Sequence, residues 1–214
     1  KTININIQML QRIWNVAKKQ WDITLPSQNP FDLVSMEKVS NERDIQLTDD
    51  EFKKLVEVAA ASKLICLADM IKFAALTAAR YSEITGLLRQ NVDFSKKTAT
   101  FYDTKNMEDR TIPLHEGAIE ILKRYPFGEK FFVIKSRESF RHHWEKVRAK
   151  AGLKDFRFHD LRSFAANRML LSGMSEIEVA AVGGWKTLAV LHRRYARIKA
   201  RQLIGKINNV VNLK

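Results

Sequence analysis

Two basic residues at a fixed spacing point first to chemistry. In His159-Asp160-Leu161-Arg162 the histidine and the arginine stand three apart, so on a helix both project from one face and can converge on one anion. Arginine offers a fork of donors to two phosphate oxygens, and histidine donates or shuttles a proton near neutral pH. The same four residues also fit an ordinary helix start, with Asp160 beside the positive end of the dipole and both basic side chains in solvent. Arg80, in Thr77-Ala-Ala-Arg80-Tyr-Ser-Glu83-Ile, stands at a helix junction, with Glu83 one turn on and placed to hold the guanidinium. Lys105 falls on a predicted hairpin tip, where a flexible ammonium group either reaches into a groove or merely solubilises. Tyr195, in Leu191-His-Arg-Arg-Tyr195-Ala, has Leu188 and Leu191 on its helical side, which fits a half-buried core tyrosine. Its neighbours Arg193 and Arg194 argue instead for a nearby polyanion.

The elements that must hold these residues follow from periodicity. Leu10, Ile13, Trp14, Ala17 and Trp21 predict an amphipathic helix from about Asn6 to Gln20. Pro26, Asn29-Pro30 and the polar run Ser40 to Asp44 read as turn and linker, which places a boundary near Ile45 and divides the chain into 1–44 and 45–214. Thr48-Asp-Asp-Glu51 is a capping box opening a helix with Phe52, Leu55, Val56 and Ala59 on one face. A longer apolar helix spans about Leu64 to Leu76, followed by the Arg80 turn and a second helix to Leu88. Val92 to Phe94, Thr98 to Tyr102 and Thr111 to Leu114 are β-type runs, and the connection between the last two carries Lys105. A helix from Glu116 to Arg124 precedes a short extended piece at Phe131 to Ile134. Phe140, Trp144, Val147 and Ala151 then mark another amphipathic helix. Helices over His159 to Leu171, Ser175 to Val182 and Thr187 to Ala196 are separated by Gly173 and Gly183-Gly184, which suit helix ends.

Composition sets outer limits. The 214 residues suffice for one to two domains, and no stretch reaches the roughly 18 uninterrupted apolar residues of a membrane span, so a soluble protein is expected. Cys66 is the single cysteine and sits in an apolar segment, as a buried thiol in a reducing cytoplasm would. The chain opens inside a polar, amide-rich stretch, as a fragment of a longer protein does. Of the net charge of +13, residues 135–214 account for +12, with eighteen basic residues against six acidic ones. Two readings fit this asymmetry: a polyanionic partner such as nucleic acid, or a merely basic solvated surface. His142-His143 is an adjacent pair with no Cys, Asp or Glu at ligand-like spacing, so no metal and no other cofactor is expected.

Taken in order, Arg80, Lys105, His159-x-Leu161-Arg162, Gly184-Trp185 and Tyr195 resemble the signature of the tyrosine recombinase, or phage integrase, family in type, order and approximate separation. The resemblance runs from about Ile45 to Ile198. Thr104-Lys105-Asn106 with Arg110-Thr-Ile-Pro-Leu114 looks like the family's hairpin, and Leu170-Leu-Ser-Gly-Met174 with Val182-Gly-Gly-Trp-Lys186 looks like its penultimate turn. The implied fold is mainly α with a small antiparallel β-sheet (α+β), the catalytic domain of that family. Residues 1–44 resemble the last helix and linker of its core-binding domain. One departure stands at Trp185, where many members have histidine; indole has one donor and no titratable proton, so it can bond a phosphate oxygen but not act as acid or base.

The resemblance implies a site-specific recombinase of a phage or other mobile element, acting in the bacterial cytoplasm without metal or ATP. Tyr195 would be the nucleophile, forming a 3′-phosphotyrosyl link that keeps the ester energy for religation. His159 would activate it, Lys105 would protonate the leaving 5′ oxygen, and Arg80 and Arg162, with His159 and Trp185, would stabilise the non-bridging oxygens. A type IB topoisomerase uses the same residue set to relax DNA, and a DNA-binding regulator retaining only the fold is a further alternative. Implied partners are double-stranded attachment sites, three further copies in a homotetramer, and accessory DNA-bending or directionality proteins. In the tail, Leu203, Ile204, Ile207, Val210 and Val211 form a helical apolar stripe that either folds back on its own domain or, as the family resemblance implies, passes to a neighbouring subunit.

The basic segment generates a measurable expectation. Affinity for duplex DNA falls steeply with salt, each neutralised phosphate releasing about 0.9 counterion. A flat response of the dissociation constant across a salt titration would mean that the +12 segment is only a solvated surface.

Overall fold

The structure is a computed structural model; it describes the chain except for residues 1, 22, 38–46, 103–108, 190 and 192–214. Two compact units result, Lys1–Arg43 and Asp44–Lys214.

In the first unit a single helix, α1, spans Thr2–Gln20. It starts earlier than the apolar spacing predicts, because Thr2 to Ile7 contains neither glycine nor proline to stop it. Pro30–Leu33 forms a 3₁₀ turn capped by Asn29, whose side chain accepts from the Phe31 backbone N–H. The segment returns along α1 through several side-chain contacts. Trp14 meets Phe31 edge-on, with ring centroids 6.3 Å apart, and the Asn4 amide bonds both backbone groups of Glu37, at 2.8 and 3.1 Å.

The second unit begins with α2, Asp49–Ala60, whose capping box is formed as the sequence predicts: Thr48 Oγ1 accepts from the Glu51 N–H at 3.2 Å and Glu51 Oε2 from the Thr48 N–H at 2.8 Å. The next helix, α3 at Leu67–Thr77, is apolar nearly all round and is therefore the central one, packed by α2, by α4 (Tyr81–Gly86), by α5 (Glu116–Lys123) and by α7 (Leu161–Leu171). Val92–Asp93 (β1), Thr98–Phe101 (β2) and Arg110–Pro113 (β3) form an antiparallel sheet in the order β1-β2-β3. Period-two alternation puts Ala99 and Phe101 in the core, and Ile112 opposite Ala99. The same register sets Arg110 opposite Phe101. The fold is thus mainly α with one small antiparallel sheet, as expected.

Three further differences from expectation have local reasons. Phe131 to Ile134 is not a strand: Lys130 makes one isolated bridge to Leu88, and Phe131 and Phe132 are both buried in succession, which a half-exposed strand cannot do. Gly86 ends α4 short of Leu88. Phe158–Asp160 forms a 3₁₀ turn before α7, since Asp160 Oδ2 accepts the Arg157 N–H at 2.8 Å and holds that turn apart from the helix. His159 therefore stands before α7 rather than on it.

This turn is anchored by rings. Phe158 meets Tyr81 at 5.9 Å, Phe140 at 5.2 Å and Trp144 at 5.4 Å, so it ties the His159 turn to α4 and to α6 (Arg137–Lys150). Replacing Phe158 by alanine is expected to cost about 3–5 kcal/mol of stability in a urea titration. A loss below about 1 kcal/mol would show that the ring cluster collapses around the gap and is not what fixes the turn.

Candidate active site

The site grows from the turn that ends α3. Ala78 adopts φ 53°, a left-handed conformation that costs a residue with a Cβ about 1–2 kcal/mol. Thr77 steadies it, donating to the Phe73 carbonyl at 2.7 Å and accepting from the Ala79 N–H at 3.3 Å. The reversal leaves Arg80 extended at the start of α4, one turn from Glu83. Glu83 Oε2 accepts the Arg80 backbone N–H at 2.7 Å and Oε1 accepts from Arg80 Nη1. Nη2 of the same guanidinium donates to the Gly184 carbonyl at 3.2 Å, so Arg80 links the α3–α4 turn to the end of the last described helix, α8 at Glu176–Gly183.

Arg162, in the first turn of α7, reaches the same place from below. It is only 2% exposed, donates from Nη1 to the Ala78 carbonyl at 2.6 Å, and its Cζ lies 4.1 Å from the Trp185 ring centroid. A cation over an aromatic face in a desolvated setting is worth about 2 kcal/mol. Trp185 gets there through two glycines. Gly184 takes φ 68° as the helix cap, and a Cβ on Gly183 would lie 2.0 Å from a carbon of the indole ring, so only glycine lets that ring lie across the end of α8. Ala78, Leu170, Val179 and Leu191 pack with Trp185 in a small separate core. Arg80, Arg162 and Trp185 are thereby gathered around two turns. His159 is exposed on its 3₁₀ turn, and Arg162, three residues on in the first turn of α7, is buried. Lys105 and Tyr195 lie outside the described residues, as does the predicted tail helix.

One residue of this cluster had no role in the sequence reading. Arg110 donates from Nη1 to Glu83 Oε1 and from Nη2 to Glu83 Oε2, both at 3.0 Å, and from Nε to the Val182 carbonyl at 2.9 Å. Its Cζ stands 5.0 Å from the ring centroid of Phe101, its cross-strand neighbour. A sequence signal existed: Arg110 shares the inward face of β3 with Ile112, and an arginine on a buried face needs an anion. Burial pushes the Glu83 carboxyl up, but the bonds and charge of Arg110, joined by Arg80, outweigh it and hold it below the usual carboxylate range. Among the described residues no three His, Cys, Asp or Glu side chains cluster as metal ligands do. The charge concentrated here is guanidinium.

The profile of the phage integrase family matches residues 46–202. The chain belongs to the phage integrase family. Relatives include a shufflon-specific DNA recombinase of Escherichia coli, 30% identical over 97% of this chain and 53% of its own length, and the integrase of Salmonella phage P22, 24% identical over 92% and 54%. The chain therefore spans about half the length of these curated family members. Among solved structures the fold is shared by the Tn1549 transposon integrase in complex with transposon right end DNA, at TM-score 0.74 and 17% identity over 97% of this chain and 78% of that one. A lambda integrase dimer bound to a COC′ core site gives 0.73 and 20%, over 92% and 60%.

For this integrase-family chain the Glu83 pair predicts a pH dependence. A carboxyl whose folded pKa is depressed contributes stability that is present above its unfolded value and is lost as pH falls through the folded one. Glu83→Gln is expected to cost about 3 kcal/mol near neutrality, because two partly buried guanidiniums lose the counter-charge of a buried carboxylate. In urea titrations the gap between the variant and the unmodified chain should shrink as pH falls below the ordinary glutamate range and close once the depressed folded pKa has been passed. A gap independent of pH would mean that packing, not charge, is what Glu83 supplies.

Proposed function

We propose that this chain is the catalytic part of a site-specific tyrosine recombinase of a mobile element, which cuts and rejoins DNA through a 3′-phosphotyrosyl bond to Tyr195. The observation that carries the reading is the convergence of Arg80, Arg162 and Trp185 on the Thr77–Arg80 and Gly183–Trp185 turns. Two guanidiniums fixed by backbone carbonyls are the preorganised positive charge that a pentacoordinate phosphorane demands, and they need no reorganisation when it forms. DNA-bound integrases of the same fold support the substrate class.

In the proposed step the Tyr195 oxygen attacks phosphorus and gives its proton to His159, whose exposed position on the 3₁₀ turn leaves it accessible to DNA. The bond to the 5′ oxygen breaks, and Lys105 returns a proton to that oxygen. Arg80 and Arg162 hold the non-bridging oxygens, and Trp185 positions Arg162 from beneath. Religation reverses the sequence, so the energy of the ester is kept and neither ATP nor a metal is required. Residues 1–44 would be the last helix and linker of a core-binding domain and residues 45–214 the catalytic domain. Four copies would assemble on paired attachment sites by exchanging the segment after Tyr195, aided by DNA-bending or directionality proteins, on DNA in the bacterial cytoplasm. Among the described residues no helix is long and apolar enough to cross a membrane.

The test is covalent capture. On nicked duplexes bearing the element's attachment site, the unmodified chain should give a denaturation-resistant adduct, and Tyr195→Phe should give none while binding the same DNA within about twofold, since one hydroxyl leaves an electrostatic interface. An adduct that persists in the variant would move the nucleophile to another residue and sink the assignment.

A further inference from the structure

We propose that Arg110 is a positioning residue for strand cleavage, which restores to Arg80 the net positive charge that Glu83 would otherwise cancel. The inference rests on the recombinase reading above. A carboxylate has about four lone-pair positions, and here all are used: Oε1 accepts from Nη1 of Arg80 and of Arg110, and Oε2 from the Arg80 backbone N–H and Arg110 Nη2. Arg80 and Glu83 alone make a neutral pair, a poor ligand for a phosphate. With Arg110 the triad carries one net positive charge, and Glu83 orients Arg80 without neutralising it.

Arg110 also touches the other anchor of Arg80. Its Nε holds the Val182 carbonyl at 2.9 Å, and its guanidinium lies so close to Gly184 that a Cβ there would fall 2.5 Å from Nη1. Gly184 is the residue whose carbonyl receives Arg80 Nη2. Both supports of the Arg80 guanidinium, the carboxylate on α4 and the carbonyl after α8, are therefore fixed by one side chain from β3. Arg110 is 9% exposed and makes these contacts from the far side of Glu83, so it acts through Arg80 rather than on DNA.

Charge supply and mere folding support are separated by changing the charge of the substrate. The 214-residue chain is assayed for strand cleavage on the nicked duplex used for covalent capture, with either the natural phosphodiester or an uncharged methylphosphonate at the scissile position. Arg110→Gln should slow phosphodiester cleavage about tenfold to a hundredfold, and should slow methylphosphonate cleavage less than about threefold, because a neutral centre asks little of Arg80. Arg110→Lys, which keeps the charge but loses the fork, should fall between Gln and Arg on the phosphodiester. Circular dichroism reads folding, and should Arg110→Gln unfold, the ratio of the two substrates is read on Arg110→Lys. Equal slowing on both substrates, or no slowing on either, overturns the inference while leaving the recombinase reading intact. Absence of any adduct with the unmodified chain overturns both.

Discussion

The carboxylate of Glu83 is buried between two guanidiniums, and the second unit is arranged around keeping it there. Taking an ion of this size out of water costs several kcal/mol even after relaxation, so it survives only where geometry and hydrogen bonds are complete. Completeness here requires three elements at once. The first turn of α4 supplies the backbone N–H and Arg80, the inward face of β3 supplies Arg110, and the end of α8 supplies one carbonyl to each guanidinium. The small sheet acquires a purpose in this light. Its strands are short, and their burial consists of little more than Ala99, Phe101 and Ile112, but the register that pairs Phe101 with Arg110 places a cation under the Arg80 turn.

Turns carry the site and helices carry the turns. Arg80 follows a left-handed alanine, Trp185 follows a left-handed glycine, and His159 sits on a 3₁₀ turn, so none of the three relies on regular helix geometry for its placement. Each turn is fixed by something packed beneath it: α3 under Ala78, the Phe158 ring cluster beside His159, and the Trp185 core against α7 and α8. Preorganised charge of this kind is held by its supporting shell, and a loose shell would forfeit it.

Much of this was legible in the sequence and some was not. The capping box at Thr48, the apolar α3, the three strands and the glycine-marked end of α8 were readable because each is a local signal of period, cap or breaker. The bond from Glu83 to Arg80 was readable because one helical turn separates them. Arg110 was not recognised, since its partner lies 27 residues away and nothing local marks the pairing. The Phe131 to Ile134 run misled because apolar density alone does not distinguish a strand from a loop that buries consecutive rings. The spacing of His159 and Arg162 marks a helical turn, but not that the first part of it is a 3₁₀ turn, which Asp160 closes by bonding back to Arg157.

The hydrogen bonds that build the site join positions far apart in the chain. Arg80 and Gly184 are separated by 104 residues, Arg162 and Ala78 by 84, and Arg110 and Val182 by 72. Contacts of such sequence separation form late, after the entropy of closing long loops has been met by the core. During synthesis on the ribosome, α2 through α5 can collapse on one another before the Gly184 carbonyl has left the exit tunnel, and until then Arg80 lacks one of its two supports. A chain ended before Gly184 would hold the Arg80 guanidinium through the Glu83 carboxylate alone. The Arg80 turn is therefore completed only when the segment from Val182 to Gly184 folds back onto β3 and α4.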